Sequence, residues 1–148
     1  MINKRRTYGE HLVSEMVEEA KRQLTENGRF DPFIRCMYER RDGEYCEFRL
    51  SWNADHDNVS MLQQAEQLII GTNALVAGFC SESLLIFAGG SVRDNSFTCY
   101  VASSGMGMTA TVRFRRVDNT IQFRRAGYTI IPDQKVTVFG SAFQEEKP

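Results

Sequence analysis

The sequence predicts one α+β domain, in which two helices pack on one face of an antiparallel or mixed β-sheet. Apolar residues recur at helical spacing in two segments, which predicts the helices. Two dipeptides between apolar runs, Asp42-Gly43 and Asp118-Asn119, are typical of β-hairpin turns. The elements therefore follow the order α-β-β-α and then mostly β, which is typical of an α+β domain.

Length and composition indicate a globular protein of ordinary size. The chain has 148 residues, of which 42% are hydrophobic and 25% are charged. These values suit a single domain, so we expect one domain over residues 1–148, with residues 1–6 and 144–148 frayed. The net charge of -1 excludes a uniformly basic nucleic-acid-binding protein, but it allows a local basic patch.

The cysteines and the apolar segments bear on the location of the protein. Four cysteines occur without a C-x-x-C pair, and the basic first residues are not followed by the apolar run of a signal peptide. No stretch approaches the ~20 apolar residues of a membrane-spanning helix. We therefore expect a cytoplasmic protein with reduced thiols and no membrane association.

The first helix is predicted over residues 7–26 and the second over residues 57–70. An apolar stripe formed by Leu12, Met16, Ala20 and Leu24 defines the first helix, which Asn27-Gly28 should end. The stripe of the second helix consists of Val59, Leu62, Ala65, Leu68 and Ile69. Further strands are predicted over residues 73–80, 96–102, 128–131 and 135–139, and residues 84–88 either continue the strand over 73–80 or form another strand.

The first hairpin is predicted over residues 33–40 and 44–52. A two-residue turn at Asp42-Gly43 would pair Met37 with Phe48, Arg35 with Leu50 and Phe33 with Trp52. That register makes one face largely apolar, so we expect this face to be the core face. It also places Cys36 and Cys46 on opposite faces, which argues against a disulfide between them.

The second hairpin, over residues 108–117 and 120–126, carries an unusual group of arginines. If Asp118-Asn119 is a two-residue turn, Arg115 lies opposite Gln122 and Arg113 lies opposite Arg124, all on one sheet face. The opposite face is then apolar and should form part of the core; it comprises Val112, Phe114, Ile121 and Phe123.

Like charges directly opposite each other are destabilising, so Arg113 and Arg124 need a compensating anion. One candidate is external: a nucleic-acid phosphate, a nucleotide or an acidic protein surface, all of which the planar guanidinium group suits. The other candidate is internal, and the available glutamates lie in the first helix and the tail: Glu10, Glu15, Glu18, Glu19, Glu145 and Glu146.

The motifs of common metal and catalytic sites are missing or incomplete. Asn53, Asp55 and Asp57 have the spacing that opens a calcium loop, but Asn58 and Gln64 stand where that loop needs Gly and Glu. We therefore interpret these residues as caps of the second helix. The two histidines lack the spacing of a zinc site, so we expect no metal and no cofactor.

These observations favour a non-enzymatic adaptor or inhibitor that binds an acidic partner, either a protein or a nucleic acid. The predicted site comprises Arg113, Arg115, Gln122 and Arg124. Two alternatives stay open. One is an enzyme of unfamiliar type with its site near Cys80 and Glu82; the other is a homo-oligomeric structural subunit that associates through a sheet edge.

Overall fold

In the part of the chain that the structure describes, two helices and a seven-stranded antiparallel sheet make up the fold, so the predicted α+β class and element order are confirmed. The computed structural model describes residues 4–29, 31–53, 58–86, 93–103, 106–132 and 139. The helices are α1 (Lys4–Asn27) and α2 (Asn58–Thr72). The strands are β1 (Phe33–Glu39), β2 (Tyr45–Ser51), β3 (Val76–Ile86), β4 (Arg93–Ser103), β5 (Met106–Val117), β6 (Thr120–Phe123) and β7 (Gly127–Pro132).

The strand order in the sheet is β2-β1-β3-β4-β5-β6, and β7 also pairs with β5. Strands β3, β4 and β5 follow one another as a meander of long antiparallel strands. Helix α2 connects β2 to β3, which returns to pair with β1. The arginine-rich hairpin of β5 and β6 therefore lies at the opposite edge of the sheet from β2.

The two helices lie on opposite faces of the sheet, which corrects the expectation that they share one face. Leu12, Met16 and Ala20 of α1 pack against Phe33, Val76 and Cys80, among others. Ala65 and Ile69 of α2 pack against Ile34, Ala77 and Phe79. Since neighbouring strand residues point to opposite faces, the two sets define two separate core layers. A sheet covered on both sides needs strands that are apolar on both sides, as the burial of successive residues in β1 and β3 shows.

Close packing at Gly78 fixes the position of α1 on the sheet. A Cβ atom at Gly78 would collide with the side chain of Met16 and press on Cγ2 of Val101. Met16 and Val101 are themselves fully buried. A larger residue at position 78 would therefore force the buried Met16 side chain to move.

The register of the first hairpin differs by one residue from the expected one. Phe33 pairs with Ser51, Met37 with Glu47 and Cys36 with Phe48, so the expected pairs of Met37 with Phe48 and Arg35 with Leu50 are wrong.

The cause of this difference is a turn longer than two residues. The amide of Gly43 donates to the carbonyl of Arg40 over 2.9 Å, and Arg40 donates to Glu44 over 2.8 Å. Gly43 has a φ of 85°, whereas Asp42 stays in the ordinary region and its side chain accepts from the amide of Glu44. This is a three-residue hairpin loop with a glycine in the left-handed region.

The corrected register also reverses the expectation about Cys36 and Cys46. Cys36 pairs with Phe48 and Cys46 with Tyr38, so the two cysteines lie on the same face in neighbouring register positions. Both are free thiols.

The register of the second hairpin agrees with the expectation. Arg115 pairs with Gln122 and Phe114 with Phe123 around the two-residue turn. Asp118 has a φ of 54°, as the first central residue of a type II′ turn requires. The amide of Arg124 donates to the carbonyl of Arg113 over 2.8 Å, which extends the register to these two residues.

A β-bulge separates β6 from β7. Phe114 pairs with Phe123 and Thr111 pairs with Gly127, so Val112 and Arg113 oppose Arg124, Arg125 and Ala126. Such an extra residue twists the strand and interrupts a sheet edge.

Several element boundaries differ from the predicted ones. Helix α1 begins at Lys4, three residues before the predicted start at residue 7. Strand β3 begins at Val76 because Asn73 adopts a φ of 51° at the end of α2. The expected helix caps Asp55 and Asp57, residues 135–138 of the strand expected over residues 135–139, and the frayed tail over residues 144–148 lie outside the described residues.

Neither helix combines the length and the apolar character that a membrane crossing needs, within the residues that the structure describes.

Candidate functional site

The structure places the predicted site residues on one face of the β5–β6 hairpin, here called the basic face: Arg113, Arg115, Gln122 and Arg124. Arg115 and Gln122 are directly paired, and the backbone bond between Arg124 and Arg113 sets these two opposite each other. Arg115, Gln122 and Arg124 are exposed, and Arg113 is half-buried. The apolar residues expected behind this face, Val112, Phe114, Ile121 and Phe123, all belong to the core under α1.

Helix α1, which carries Glu10, Glu15, Glu18 and Glu19, lies on the opposite side of the sheet from the basic face. Val112 and Phe114 pack beneath α1, so the alternating Arg113 and Arg115 point to the other face. The side chains of Arg113 and Arg115 therefore leave the sheet on the side away from α1. The tail glutamates Glu145 and Glu146 lie outside the described residues, and Arg113 and Arg115 also make contacts within the chain.

Hydroxyl groups continue the basic face toward β4. Thr111 lies two residues before Arg113 on β5, and its Oγ1 is 3.2 Å from Oγ1 of its cross-strand partner Thr98. Ser96, directly opposite Arg113, is fully buried. Val117, at the end of β5, is the one large hydrophobic side chain that is exposed on this face among the described residues. The face thus combines guanidinium, amide and hydroxyl groups with little apolar surface.

A second pair of facing arginines shows how this fold compensates such a pair. Arg35 on β1 lies opposite Arg49 on β2, on the face that α1 covers. Arg35 donates to Glu15 over 2.8 Å and to Glu47, and its Nη1 is 4.0 Å from Glu19. Arg49 donates to Glu19 through Nη2 over 2.9 Å and through Nε over 3.1 Å. Three carboxylates therefore hold two arginines in a charge-assisted network.

The electrostatics of Arg35 follow from this network. Burial disfavours its charged form, but the hydrogen bond and charge of Glu47, together with the charges of Glu15 and Glu19, outweigh burial and raise the pKa of Arg35. A groove of about 740 Å³ runs along this network between α1 and the first hairpin. Because positive and negative groups alternate along the groove, it presents little net charge to a ligand.

The network around Arg35 was not predictable from the sequence for two reasons. The predicted register paired Arg35 with Leu50 instead of Arg49, so it placed Glu47 and Arg49 on the opposite face of the hairpin from Arg35. The spacing of Glu15 and Glu19, one helical turn apart, was a signal, since residues four apart share a helix face. Using that signal required knowing which face of the sheet α1 covers.

Cys80 and Glu82, the residues of the expected enzyme alternative, do not form an open reactive pair. Cys80 is fully buried, and burial raises its pKa well above the ordinary value, with a further contribution from Cys99. It is therefore a neutral thiol, which is a poor nucleophile. Glu82 accepts from Arg116 over 3.2 Å, and the same guanidinium donates to the carbonyl of Gly28 over 2.8 Å. Glu82 thus helps to anchor the end of α1.

The described residues contain no group of three or more metal-binding side chains. Nε2 of His11 lies 3.2 Å from Glu15, one turn further along α1, and His56 lies outside the described residues.

Comparisons of the chain with protein-family models, with curated proteins and with solved structures found no match.

Proposed function

We propose that this protein is a non-enzymatic binding module whose basic face engages the phosphate groups of a nucleic acid. The observation that carries the proposal is the facing pair of Arg113 and Arg124, with exposed Arg115 beside them, on the sheet face that α1 does not cover. An anion is attractive here because its charge offsets the repulsion between arginines on neighbouring strands.

The first hairpin supports this argument from within the same molecule. There the facing pair of Arg35 and Arg49 gathers the carboxylates of Glu15, Glu19 and Glu47. On the basic face, a phosphate would supply the comparable charge, in addition to the contacts that Arg113 and Arg115 make within the chain. A phosphate accepts two parallel hydrogen bonds from one guanidinium group, as a carboxylate does.

The composition of the face favours nucleic acid over an acidic protein. Arginine, glutamine and threonine side chains are common donors to phosphate oxygens. The centre of a protein–protein interface, in contrast, is usually built from large apolar or aromatic anchors. On this face Val117 is the exposed hydrophobic residue among those described, and it lies at the turn, away from the centre.

Binding of labelled oligonucleotides tests the proposal directly. We expect the fluorescence anisotropy of labelled single-stranded RNA or DNA to increase when the wild-type protein is added. We expect this binding to be lost in the variant Arg113→Ala, Arg115→Ala, Arg124→Ala. A charge-matched control replaces three exposed arginines elsewhere, Arg22, Arg29 and Arg41, by alanine and should bind like the wild type.

An acidic partner protein is the competing outcome of this experiment. If the wild-type protein binds neither the RNA nor the DNA oligonucleotide but binds a polyglutamate peptide through the same three arginines, the nucleic-acid proposal is wrong. Equal binding by both triple variants contradicts any role for the basic face.

Self-association through β7 is a second candidate, from a different class of function. Tyr128 and Ile130 on this strand are 59% and 56% exposed, opposite the buried Ala110 and Met108 of β5. Large exposed side chains of this kind often mark an interface between protein molecules. Light scattering would show a dimer that Ile130→Lys converts to a monomer, and a monomeric wild type at high concentration would exclude this candidate.

We further propose a cytoplasmic setting. All four cysteines are free, which is typical of proteins in a reducing compartment.

A further inference from the structure

Two of the four cysteines lie directly opposite each other in the centre of the sheet. Cys80 on β3 and Cys99 on β4 are register partners, and their Sγ atoms are 3.0 Å apart. Both side chains are fully buried in the core beneath α1. This separation is well short of ordinary contact between atoms that do not interact, so only a small movement separates the two thiols from a bond.

We propose that Cys80 and Cys99 form an intramolecular disulfide when the protein meets a hydroperoxide, so that this pair is an oxidation site that links β3 to β4. Directly paired residues of neighbouring antiparallel strands have Cα atoms about 4.5–5.5 Å apart, which lies within the range of about 4.4–6.8 Å found in disulfides. The thiol pair therefore needs no rearrangement of the backbone to become bonded.

The chemistry balances with one hydroperoxide molecule. One Sγ attacks a peroxide oxygen, the O–O bond breaks, and the leaving hydroxide takes up the thiol proton and departs as water (for hydrogen peroxide). The resulting sulfenic acid is attacked by the second Sγ, the S–O bond breaks, and another water leaves. The two sulfurs together lose two electrons, and the peroxide gains them.

The environment of the pair makes the reaction slow and selective. Burial, with the hydrogen bond between the two thiols, raises the pKa of Cys80 and keeps it protonated. Because Met16 of α1 packs over neighbouring Gly78, an oxidant reaches the pair only when the helix moves away from β3. The pair therefore responds to sustained oxidation, whereas half-exposed Cys46 reacts first.

Peptide mapping of the oxidised protein distinguishes this pair from the other cysteines. We expect treatment of the reduced wild-type protein with hydrogen peroxide to remove one hydrogen atom from each of the thiols of Cys80 and Cys99. Peptide mapping should then show the peptide that contains Cys80 joined by a disulfide to the peptide that contains Cys99. The Cys36→Ala, Cys46→Ala variant retains the pair and should give the same linked peptides.

Thermal unfolding provides the second measurement. The disulfide restrains the unfolded chain, so oxidation should raise the Tm of the Cys36→Ala, Cys46→Ala variant. The Cys99→Ala variant should show no such rise and should accumulate oxygen on Cys80 instead. If Cys99→Ala fails to fold, the mapping of the wild type and of the first variant still decides.

Three results would overturn the proposal. The first is a disulfide that involves Cys36 or Cys46. The second is oxygen addition at Cys80 and Cys99 without a disulfide between them. The third is that Cys80 and Cys99 remain unmodified thiols after Cys46 is fully oxidised.

Discussion

Arg35 and Arg49 lie directly opposite each other on β1 and β2, and both bind carboxylates of the same helix, α1. Their charges repel across the strand pair. Glu15 and Glu19 compensate these charges, and the ion pairs hold the helix against the sheet. Arg49 also lies over the ring of Phe33, at 4.8 Å from its centre. The facing arginines thus act as a docking point for α1.

Loss of the Glu19 charge should therefore destabilise the protein. Glu19 is 11% exposed and accepts from Arg49, so Glu19→Gln leaves two facing arginines with less compensation. We expect the free energy of unfolding to fall by about 2 kcal/mol, measured by urea denaturation. Its neighbour Glu18 is 73% exposed and lies 3.8 Å from Lys21, so Glu18→Gln should cost less than about 0.5 kcal/mol. Equal losses in the two variants would show that the network does not hold α1.

Filling the close approach at Gly78 should also weaken the attachment of α1. The added Cβ in Gly78→Ala meets the side chain of Met16, and overpacking of a core usually costs about 1–3 kcal/mol. A matched control is Gly71→Ala in α2, where a Cβ has open space, so that alanine should stabilise the helix by up to ~1 kcal/mol. Thermal unfolding of both variants checks the difference. A Gly78→Ala protein as stable as the wild type would contradict the packing of Met16 on β3.

Alkaline pH should destabilise the protein through Cys36. Burial, assisted by the charge of Glu47, raises the pKa of Cys36 from 9.0 to about 12. Because the folded pKa is raised, this contribution to stability is complete below pH 9.0 and declines as the pH rises toward about 12. At one pH unit above the unfolded pKa, the free energy of unfolding should be lower by about 1.4 kcal/mol.

The comparison with Cys36→Ala isolates that effect. This variant removes the titrating thiol, so its free energy of unfolding should fall less steeply with pH above 9.0 than that of the wild type. Urea denaturation across this pH range measures both slopes. Parallel slopes would mean that Cys36 is not held as a buried thiol.

The parts of the fold that local rules determine were predictable from the sequence. The apolar stripe of Leu12, Met16 and Leu24 located α1, because a buried helix face repeats every three to four residues. The turn at Asp118 gave the correct register for the second hairpin, and with it the pairing of Arg115 with Gln122.

The parts that depend on distant contacts were not predictable. Asp42-Gly43 suits both a two-residue and a three-residue loop, and the choice shifts every partner in the first hairpin. Since β1 is buried on both faces, its apolar pattern does not tell which helix covers which face. The network of Arg35 and the contact between Cys80 and Cys99 both depend on strand neighbours that are far apart in sequence.

The salt dependence of oligonucleotide binding tests the central claim, that the basic face binds phosphate, most directly. Each phosphate that the protein neutralises on a single strand adds about 0.7 to the steepness of log K against log salt concentration. Replacing the exposed Arg115 and Arg124 by alanine should therefore weaken binding and reduce that slope by about 1.4. The control Arg22→Ala, Arg41→Ala should leave affinity and slope unchanged. If the two double variants show the same affinity and the same slope, the basic face is not a phosphate-binding site.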